Sequence, residues 1–202
     1  MKVADFVKWT ARNVFSIGRV GYINKKHFYH FGKGAILEKP YKQLTGPEQM
    51  AIGDGTTILE GFRLAVYGQS STDEPVISIG IDCYIGFGFT ALADSSARIE
   101  IGDKVLIASN VLVVNENHGN DPIVSDSYMD QPLTGKDVSI GDGCWLGEQV
   151  CILPGVSIGK RSIVGAGSVV TKSIPEYSIA VGNPAKVIKK WDFDKNCWGD
   201  IA

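Results

Sequence analysis

The sequence lacks an excess of charge of either sign. Its 20 Lys and Arg residues nearly balance 22 Asp and Glu residues, giving a net charge of −2 at neutral pH, and the basic residues are scattered. A nucleic-acid partner needs a basic patch or groove, so this class of function is not expected. With 44% hydrophobic residues in a chain of 202, the composition indicates a single soluble domain around one core.

Long apolar runs are also missing from the first residues of the chain. Asp5, Lys8 and Arg12 interrupt the apolar side chains there, so neither a signal peptide nor a membrane span is expected. The spacing of the apolar residues predicts an amphipathic helix over residues 1–20, within an N-terminal extension that covers residues 1–30. Docking of this extension on the domain is the favoured interpretation, and contact with a membrane surface is the alternative.

Histidine is scarce, and cysteine is irregularly spaced. The four cysteines show no metal-ligand pattern, so no metal is expected. Of the three histidines, His27 and His30 lie in the N-terminal segment, which leaves His118 as the one histidine in the regular part of the chain.

The chain has instead a period of six residues. Between residues 101 and 175 an aliphatic side chain returns every six positions, often followed by glycine, with a small or short residue four places after it. An α-helix would return its apolar face every 3.6 residues and an exposed strand every two. A unit of one short strand and one corner explains the period of six, and three such units make one coil. The sequence therefore predicts an all-β fold, a parallel β-helix with stacked aliphatic side chains. These positions are Ile101, Ile107, Val113, Ile140, Leu146, Ile152, Ile158, Val164 and Val170.

The same register continues toward the N-terminus and breaks in three places. Breaks at residues 70–78, 97–100 and 119–139 are predicted to leave the prism as loops. The β-helix is therefore expected over residues 31–182, with an excursion loop at 119–139, and residues 183–202 are predicted to form a helical tail. The earlier coils are marked by Phe31, Leu37, Ile52, Ile58, Leu64, Ile79, Ile85 and Ala91.

Two of the cysteines, Cys83 and Cys144, fall on the small inward position of the repeat. Packed free thiols are therefore expected there, rather than disulfides or metal ligands. Thiols of this kind suit a reducing compartment, so a cytoplasmic location is expected.

The longest break in the repeat carries the candidate chemistry. Asn117 stands where the register requires a small inward side chain, and His118 follows it at the outward edge, directly before the excursion. Trp145 has the same place in its own hexad just after the excursion, so His118 and Trp145 are predicted to line one cleft. An imidazole accepts a proton readily near neutral pH, which makes His118 a candidate general base.

The stretch from Val138 to Lys190 carries a family resemblance. It contains SIGDGCWLG at 139–147, ILPGVSIG at 152–159, VGAGSVVTK at 164–172 and GNPAK at 182–186, preceded by Asn117-His118. These motifs resemble hexapeptide-repeat acetyltransferases of the galactoside and maltose O-acetyltransferase type, including bacterial polysaccharide O-acetyltransferases. The likeness is close over about half of the chain and extends through weaker repeats to about three quarters. It implies a left-handed β-helix and a homotrimer with sites between subunits.

The resemblance also implies a role for each matching residue. His118 matches the catalytic histidine, which deprotonates the acceptor for direct attack on the acetyl-CoA thioester. Trp145 matches a tryptophan on the pantetheine arm, and the backbone amide of Glu148, after Gly147, matches the donor to the thioester oxygen. Asn117 is expected on the acceptor side. The other positions that match the acetyl-CoA groove are Ala166, Ser168, Thr171, Lys172, Lys186 and Lys189.

The group that orients the imidazole of His118 is not settled by the sequence, and the candidates are a backbone carbonyl, Glu116, Asp121 and Asp126.

The favoured function is acetyl-CoA-dependent O-acetyl transfer to a hydroxyl of a sugar or polysaccharide precursor. N-acetylation of an amino sugar nucleotide or a drug would use the same site, and a catalytically inactive trimeric scaffold is the non-enzymatic alternative. A γ-class carbonic anhydrase needs three zinc-binding histidines, so it is excluded.

Overall fold

In the computed structural model, which describes residues 23–201, the six-residue repeats fold into a three-sided prism of short parallel strands. Each coil has one strand per side. The first four coils contain β1 (His30–Phe31), β2 (Ile36–Leu37), β3 (Gln43–Thr45), β4 (Met50–Ile52), β5 (Thr57–Ile58), β6 (Arg63–Tyr67), β7 (Ile77–Ile79), β8 (Tyr84–Ile85), β9 (Thr90–Asp94), β10 (Ile99–Ile101), β11 (Leu106–Ile107) and β12 (Leu112–Val114).

The chain then leaves the prism and returns for the remaining coils. The strands that follow are β13 (Glu116–His118), β14 (Leu133–Gly135), β15 (Val138–Ile140), β16 (Trp145–Leu146), β17 (Cys151–Ile152), β18 (Ser157–Ile158), β19 (Ile163–Val164), β20 (Val169–Val170), β21 (Ser178–Val181), β22 (Lys186–Asp192) and β23 (Cys197–Asp200). Short 3₁₀ turns lie at Lys25–His27, Pro47–Gln49 and Tyr128–Asp130.

Successive strands occupy the three sides in turn. Sheet A contains β1, β4, β7, β10, β15 and β18, and sheet C contains β3, β6, β9, β12, β17 and β20. Sheet B contains β2, β5, β8, β11, β16, β19 and β21, followed by β22 and β23. Pairing within the prism is parallel throughout, as a coiled chain with one direction of travel requires. The fold is thus a parallel β-helix, as the repeat predicts.

The predicted aliphatic columns are confirmed by the strand register. In sheet A, for example, Ile79 pairs with Ile101, which pairs with Ile140. The equivalent residues Ile107 and Leu146 in sheet B, and Val113 and Ile152 in sheet C, are also in register and fully buried. Each such side chain contributes roughly 1.5–3 kcal/mol by leaving water. The interior is therefore a continuous apolar column that holds the corners in fixed positions.

Glycine serves the corners in two different ways. The glycine that directly follows an aliphatic residue permits close approach between coils, because a Cβ added at Gly147 would lie 2.6 Å from the backbone nitrogen of Ala166. The left-handed conformation occurs two residues later, at Gln149 (φ 57°) and at Gly167 (φ 69°). Glycine is thus required at the first position by contact and favoured at the second by backbone angle.

Cys83 and Cys144 are buried free thiols, which confirms their predicted inward packing. Each thiol donates to a backbone carbonyl of the next coil, Cys83 Sγ to Gly102 O at 3.1 Å and Cys144 Sγ to Gly159 O at 3.2 Å. Burial raises the pKa of both thiols, because the thiolate would be desolvated.

The excursion between β12 and β15 is partly ordered as a hairpin. Strand β13 pairs with β14 in antiparallel fashion, with Glu116 opposite Gly135 and His118 opposite Leu133. Because β13 has left the prism to pair with β14, Asn117 is exposed, and the predicted inward position for Asn117 is wrong. The last inward residue before the excursion is Asn115, which is fully buried.

The predicted helical tail over residues 183–202 is also wrong. Strand β22 runs antiparallel to β21, and β23 runs antiparallel to β22, so the tail extends sheet B as a hairpin. The last strand of the β-helix presents unpaired backbone groups, which β22 satisfies. Val187 packs against the core from this strand. The helix predicted for residues 1–20 lies outside the described residues. Within residues 23–201, no helix is long and apolar enough to cross a membrane.

Candidate active site

His118 lies at the end of strand β13 with its side chain exposed. The base of the hairpin is fixed by Asn115, whose Oδ1 accepts from the backbone N–H of Asp94 at 2.8 Å and whose Nδ2 donates to the Asp94 carbonyl at 3.2 Å. The backbone carbonyl of Asn115 also accepts from the N–H of Lys136 at 2.7 Å. One buried amide therefore joins both strands of the hairpin to the preceding coil and holds His118 at a defined place.

The rest of the excursion is held together by hydrogen bonds to the side chain of Gln131, which is buried. Its Nε2 donates to the Asp121 carbonyl at 2.6 Å, and its Oε1 accepts from the Asp121 N–H at 3.1 Å. The Asp121 carboxylate accepts from Ile123 N–H at 2.8 Å. Within residues 23–201 of one chain, none of Glu116, Asp121 or Asp126 is hydrogen-bonded to His118, so the group that orients the imidazole stays a prediction.

The corner between sheets B and C, formed by residues 147–149 and 165–167 and called here the B–C corner, holds a second set of predicted residues. Gly147 and Ala166 are in contact across adjacent coils, and the Gly167 N–H donates to the Glu148 carbonyl at 2.7 Å. Trp145 precedes this corner on the outer face of sheet B, with 48% of its surface exposed, between Leu106 and Ile163 in register. An aromatic face and a backbone-rich corner are therefore side by side.

The side chain of Glu148 has a structural role at the B–C corner. Its Oε2 accepts from the backbone N–H of Ser109 at 3.1 Å and its Oε1 from Asn110 Nδ2 at 3.0 Å. Ser109 is the residue equivalent to Glu148 one coil earlier. The same device recurs at the corner between sheets A and B, where Asp103 accepts from Ile81 N–H at 2.9 Å. A carboxylate at this position therefore satisfies the corner amide of the preceding coil.

Where this position holds no carboxylate, the corner amide of the preceding coil can stay open, and one such amide lies beside Trp145. The residue that should satisfy the N–H of Glu148 is Ala166, which has no side-chain acceptor. Within the described chain the Glu148 N–H has no hydrogen-bond partner, whereas the equivalent N–H of Ser109 is held by Glu148. The B–C corner thus presents a backbone donor to whatever lies against it.

The remaining predicted residues are distributed over three places. Thr171 and Lys172 are exposed directly after β20, at the corner between sheets C and A from which the His118 hairpin also leaves. Lys186 lies at the start of β22 opposite Val181, near the B–C corner. Lys189 lies further along this strand, and its Nζ is 3.4 Å from Asp200 Oδ1 in an exposed ion pair.

Ser168 is fully buried and points into the prism, where its Oγ accepts from the Gly182 N–H at 3.0 Å. Its side chain therefore cannot contact a ligand outside the β-helix. The repeat contains the signal for this, because Ser168 is four places after Val164, at the small inward position.

The structure groups the exposed predicted residues on opposite sides of sheet C. Asn117, His118, Thr171 and Lys172 lie at what we call the C–A corner, formed by residues 115–137 and 171–173, while Gly147, Glu148, Ala166 and Lys186 lie at the B–C corner. About five residues of extended chain separate the two corners, or roughly 15 Å. His118 and Trp145 thus lie on different faces of one chain, with no hydrogen bond or ring contact between them within residues 23–201. No group of three or more metal-ligating side chains occurs there either.

Comparison with known proteins places this chain in a family. Residues 137–172 match the family model described as bacterial transferase hexapeptide (six repeats). The chain is 34% identical over 153 residues to a protein of Schizosaccharomyces pombe named "Putative acetyltransferase", covering 72% of this chain and 71% of the relative. The chain belongs to the hexapeptide-repeat acetyltransferase family.

Other similarities agree with this assignment over shorter spans. The "Putative lipopolysaccharide biosynthesis O-acetyl transferase WbbJ" of Escherichia coli K12 is 42% identical over 110 residues, which are 52% of this chain and 56% of WbbJ. The chain thus spans little more than half the length of this curated relative. A solved structure of AntD, an N-acyltransferase from Bacillus cereus in complex with dTDP-4-amino-4,6-dideoxyglucose and coenzyme A, superposes with a TM-score of 0.67. It is 22% identical, covers 85% of this chain and 88% of AntD, and so shows the shared fold.

Proposed function

We propose that this protein transfers the acetyl group of acetyl-CoA to a hydroxyl of a sugar or polysaccharide precursor. The observation that carries the proposal is the open N–H of Glu148 at the B–C corner, next to the exposed ring of Trp145. A backbone donor held rigidly in this way suits a carbonyl oxygen that gains negative charge during acyl transfer. Membership of the acetyltransferase family and the similarity to WbbJ support the donor and the class of acceptor.

His118 acts as the general base in this proposal. Its imidazole accepts the proton of the acceptor hydroxyl while the hydroxyl oxygen attacks the thioester carbonyl carbon. The Glu148 N–H donates to the resulting oxyanion. When the tetrahedral species collapses, the C–S bond breaks, the acetyl group stays on the acceptor oxygen, and the imidazolium returns its proton to the thiolate of coenzyme A. No residue of the chain becomes acylated, so no nucleophilic Ser or Cys is required.

The two corners meet only if a second copy of the chain contributes to the site. We propose a closed trimer with left-handed β-helices, in which the B–C corner of one subunit faces the C–A corner of its neighbour. Apolar side chains exposed on one chain support this, among them Ile123 in the excursion at 90% exposure and Leu106 on sheet B at 43%. Ile163 and Val169 also point outward from the prism and are half-buried in the single chain.

The other predicted residues then divide between donor and acceptor. Trp145 packs on the pantetheine arm, and Thr171, Lys172, Lys186 and Lys189 face the phosphate and nucleotide end of acetyl-CoA. Asn117, beside His118, faces the acceptor. Residues 31–182 form the catalytic domain in this proposal, and the free cysteines suit the reducing cytoplasm.

N-acetylation is the second candidate, because AntD shares the fold and its structure contains an amino sugar nucleotide. The discriminating experiment measures release of coenzyme A against sugars, amino sugars, sugar nucleotides and oligosaccharides, followed by product mass. An acetyl ester, removed by mild alkali, supports O-transfer. An alkali-stable amide would replace the proposal by N-transfer, and an absence of thiol release with every acceptor would favour the inactive scaffold.

A further inference from the structure

An aromatic pocket lies at the corner between sheets A and B, called here the A–B corner and formed by residues 141–143, 159–161 and 175–177. Arg161, Tyr177, Trp191 and Trp198 line an open cavity of about 350 Å³. The hairpin of β22 and β23 brings the two tryptophans over this corner, where the backbone N–H of Trp191 donates to the backbone carbonyl of Tyr177 at 2.9 Å. None of these four residues has a role in the transfer mechanism.

The three aromatic rings that line the pocket pack in perpendicular pairs, the two tryptophans with each other and Tyr177 with the neighbouring Phe193. The Trp191 and Trp198 centroids are 5.2 Å apart with an interplanar angle of 80°, and those of Tyr177 and Phe193 are 5.0 Å apart at 78°. In each pair the edge of one ring covers the face of the other, so the pocket offers an angled apolar wall and not two parallel plates. A wall of this kind suits the C–H face of a pyranose better than a flat base held between rings.

Arg161 supplies an unpaired positive charge to the same pocket. Its side chain lies over Gly143, since a Cβ added there would be 2.8 Å from Arg161 Cδ. The neighbouring Lys160 is paired with Glu176, with Nζ 3.5 Å from Oε2. Arg161 has no ion-pair partner in the described part of the chain, and a guanidinium can bind carboxylate or phosphate oxygens with two parallel hydrogen bonds.

We propose that the pocket binds a saccharide unit that carries an anionic group, either a carboxylate or a phosphate. The pyranose packs against the aromatic wall, and Arg161 binds the anion. The choice of a saccharide rests on the proposed function. The pocket is separated from the B–C corner by the width of sheet B, roughly 15 Å, so it would hold a unit of the acceptor remote from the acetylated one.

The test measures binding by tryptophan fluorescence and calorimetry on the full chain without acetyl-CoA. The probes are a galacturonic acid tetrasaccharide, glucose 6-phosphate, neutral maltotetraose and ADP. We expect at least one anionic sugar to bind and maltotetraose to bind at least tenfold more weakly. Binding of both anionic probes identifies the charge as the determinant, and binding of one identifies which anion fits. Equal binding of neutral and anionic sugars, or ADP binding that displaces the sugar, would overturn the proposal.

Arg161→Gln should weaken binding of the anionic probe at least tenfold, and Arg161→Lys should recover part of the lost affinity. Lys104→Gln is the matched control, because Lys104 is exposed at the equivalent corner position with φ 55° in an earlier coil. Unchanged binding in Arg161→Gln would refute the site. Transfer to a monosaccharide should be the same in Arg161→Gln and in the unmodified protein. Saccharide binding without any acetyl transfer would refute the proposed function and leave the pocket standing, so the two failures are distinguishable.

Discussion

The two corners that flank sheet C present their proposed catalytic groups by opposite means. The C–A corner does so by interruption, because the coil opens there and a hairpin anchored by Asn115 carries His118 away from the prism. The B–C corner keeps the coil intact and leaves a backbone donor open, since Ala166 has no carboxylate to satisfy the Glu148 N–H as Glu148 satisfies that of Ser109. In the proposed mechanism, the repetitive scaffold thus gains its general base by an insertion and its oxyanion donor by a small residue in the next coil.

The largest expected effect comes from removing the base at the interrupted corner. His118→Ala should lower kcat by on the order of 10²–10⁴, the range for loss of a general base, with little change in coenzyme A binding. Steady-state thiol release and calorimetry with coenzyme A measure the two quantities. His30→Ala is the matched control, because His30 is also exposed at the end of the prism but is far from either corner in sequence. Turnover near that of the control would remove His118 from the mechanism.

The intact corner is tested by restoring the missing carboxylate. Ala166→Asp should occupy the Glu148 N–H as Glu148 occupies that of Ser109, and so lower kcat by about 10²–10³, the cost of one oxyanion donor. Ser109→Asp adds the same charge to the same corner two coils away and should cost far less. Circular dichroism melting of both variants checks that the coils remain folded. Equal activity in Ala166→Asp and the unmodified protein would show that this amide is not used.

Mixing the two variants tests whether the corners of different subunits cooperate. His118→Ala is damaged only at the C–A corner and Ala166→Asp only at the B–C corner. If each site joins corners from two neighbours, random mixed trimers contain undamaged sites at about one interface in four. Co-refolded or co-expressed mixtures should therefore recover about a quarter of normal activity, with trimer mass checked by light scattering. Mixtures no more active than their parents would place both corners of a site on one chain.

The repeat predicts the prism well because each hexad specifies its own inward residue. Ile101, Ile140 and their equivalents were placed correctly by spacing alone, since stacking needs only the same register in each coil. The predicted position of Asn117 was wrong because β13 pairs with β14, whose residues lie 15 to 19 positions later in the chain. The helical tail failed for a similar reason. The lysines at 186, 189 and 190 have helical spacing, but the open edge of sheet B exists only after the coils have formed.

The candidate site residues could be selected one by one from the sequence, but their arrangement could not. Motif likeness selects His118, Trp145 and Glu148 without showing that sheet C lies between the first and the others. The open amide is a property of two residues from adjacent coils, and it becomes visible only when Ser109, Glu148 and Ala166 are aligned. The aromatic pocket likewise combines Arg161 with residues of the C-terminal hairpin, a segment for which the sequence predicts a helix.

The smallest expected effect concerns the aromatic surface beside the B–C corner. Trp145→Ala should raise KM for acetyl-CoA roughly three- to tenfold with a smaller change in kcat, because an aromatic contact of about 1 kcal/mol is lost from binding and not from charge stabilisation. Leu106→Ala, the neighbour in register one coil earlier, is the control for a general weakening of this face. Calorimetry with coenzyme A should show the same loss as KM. If coenzyme A affinity were unchanged while affinity for the acceptor fell, Trp145 would belong to the acceptor side, and the two corners would have to exchange their proposed ligands.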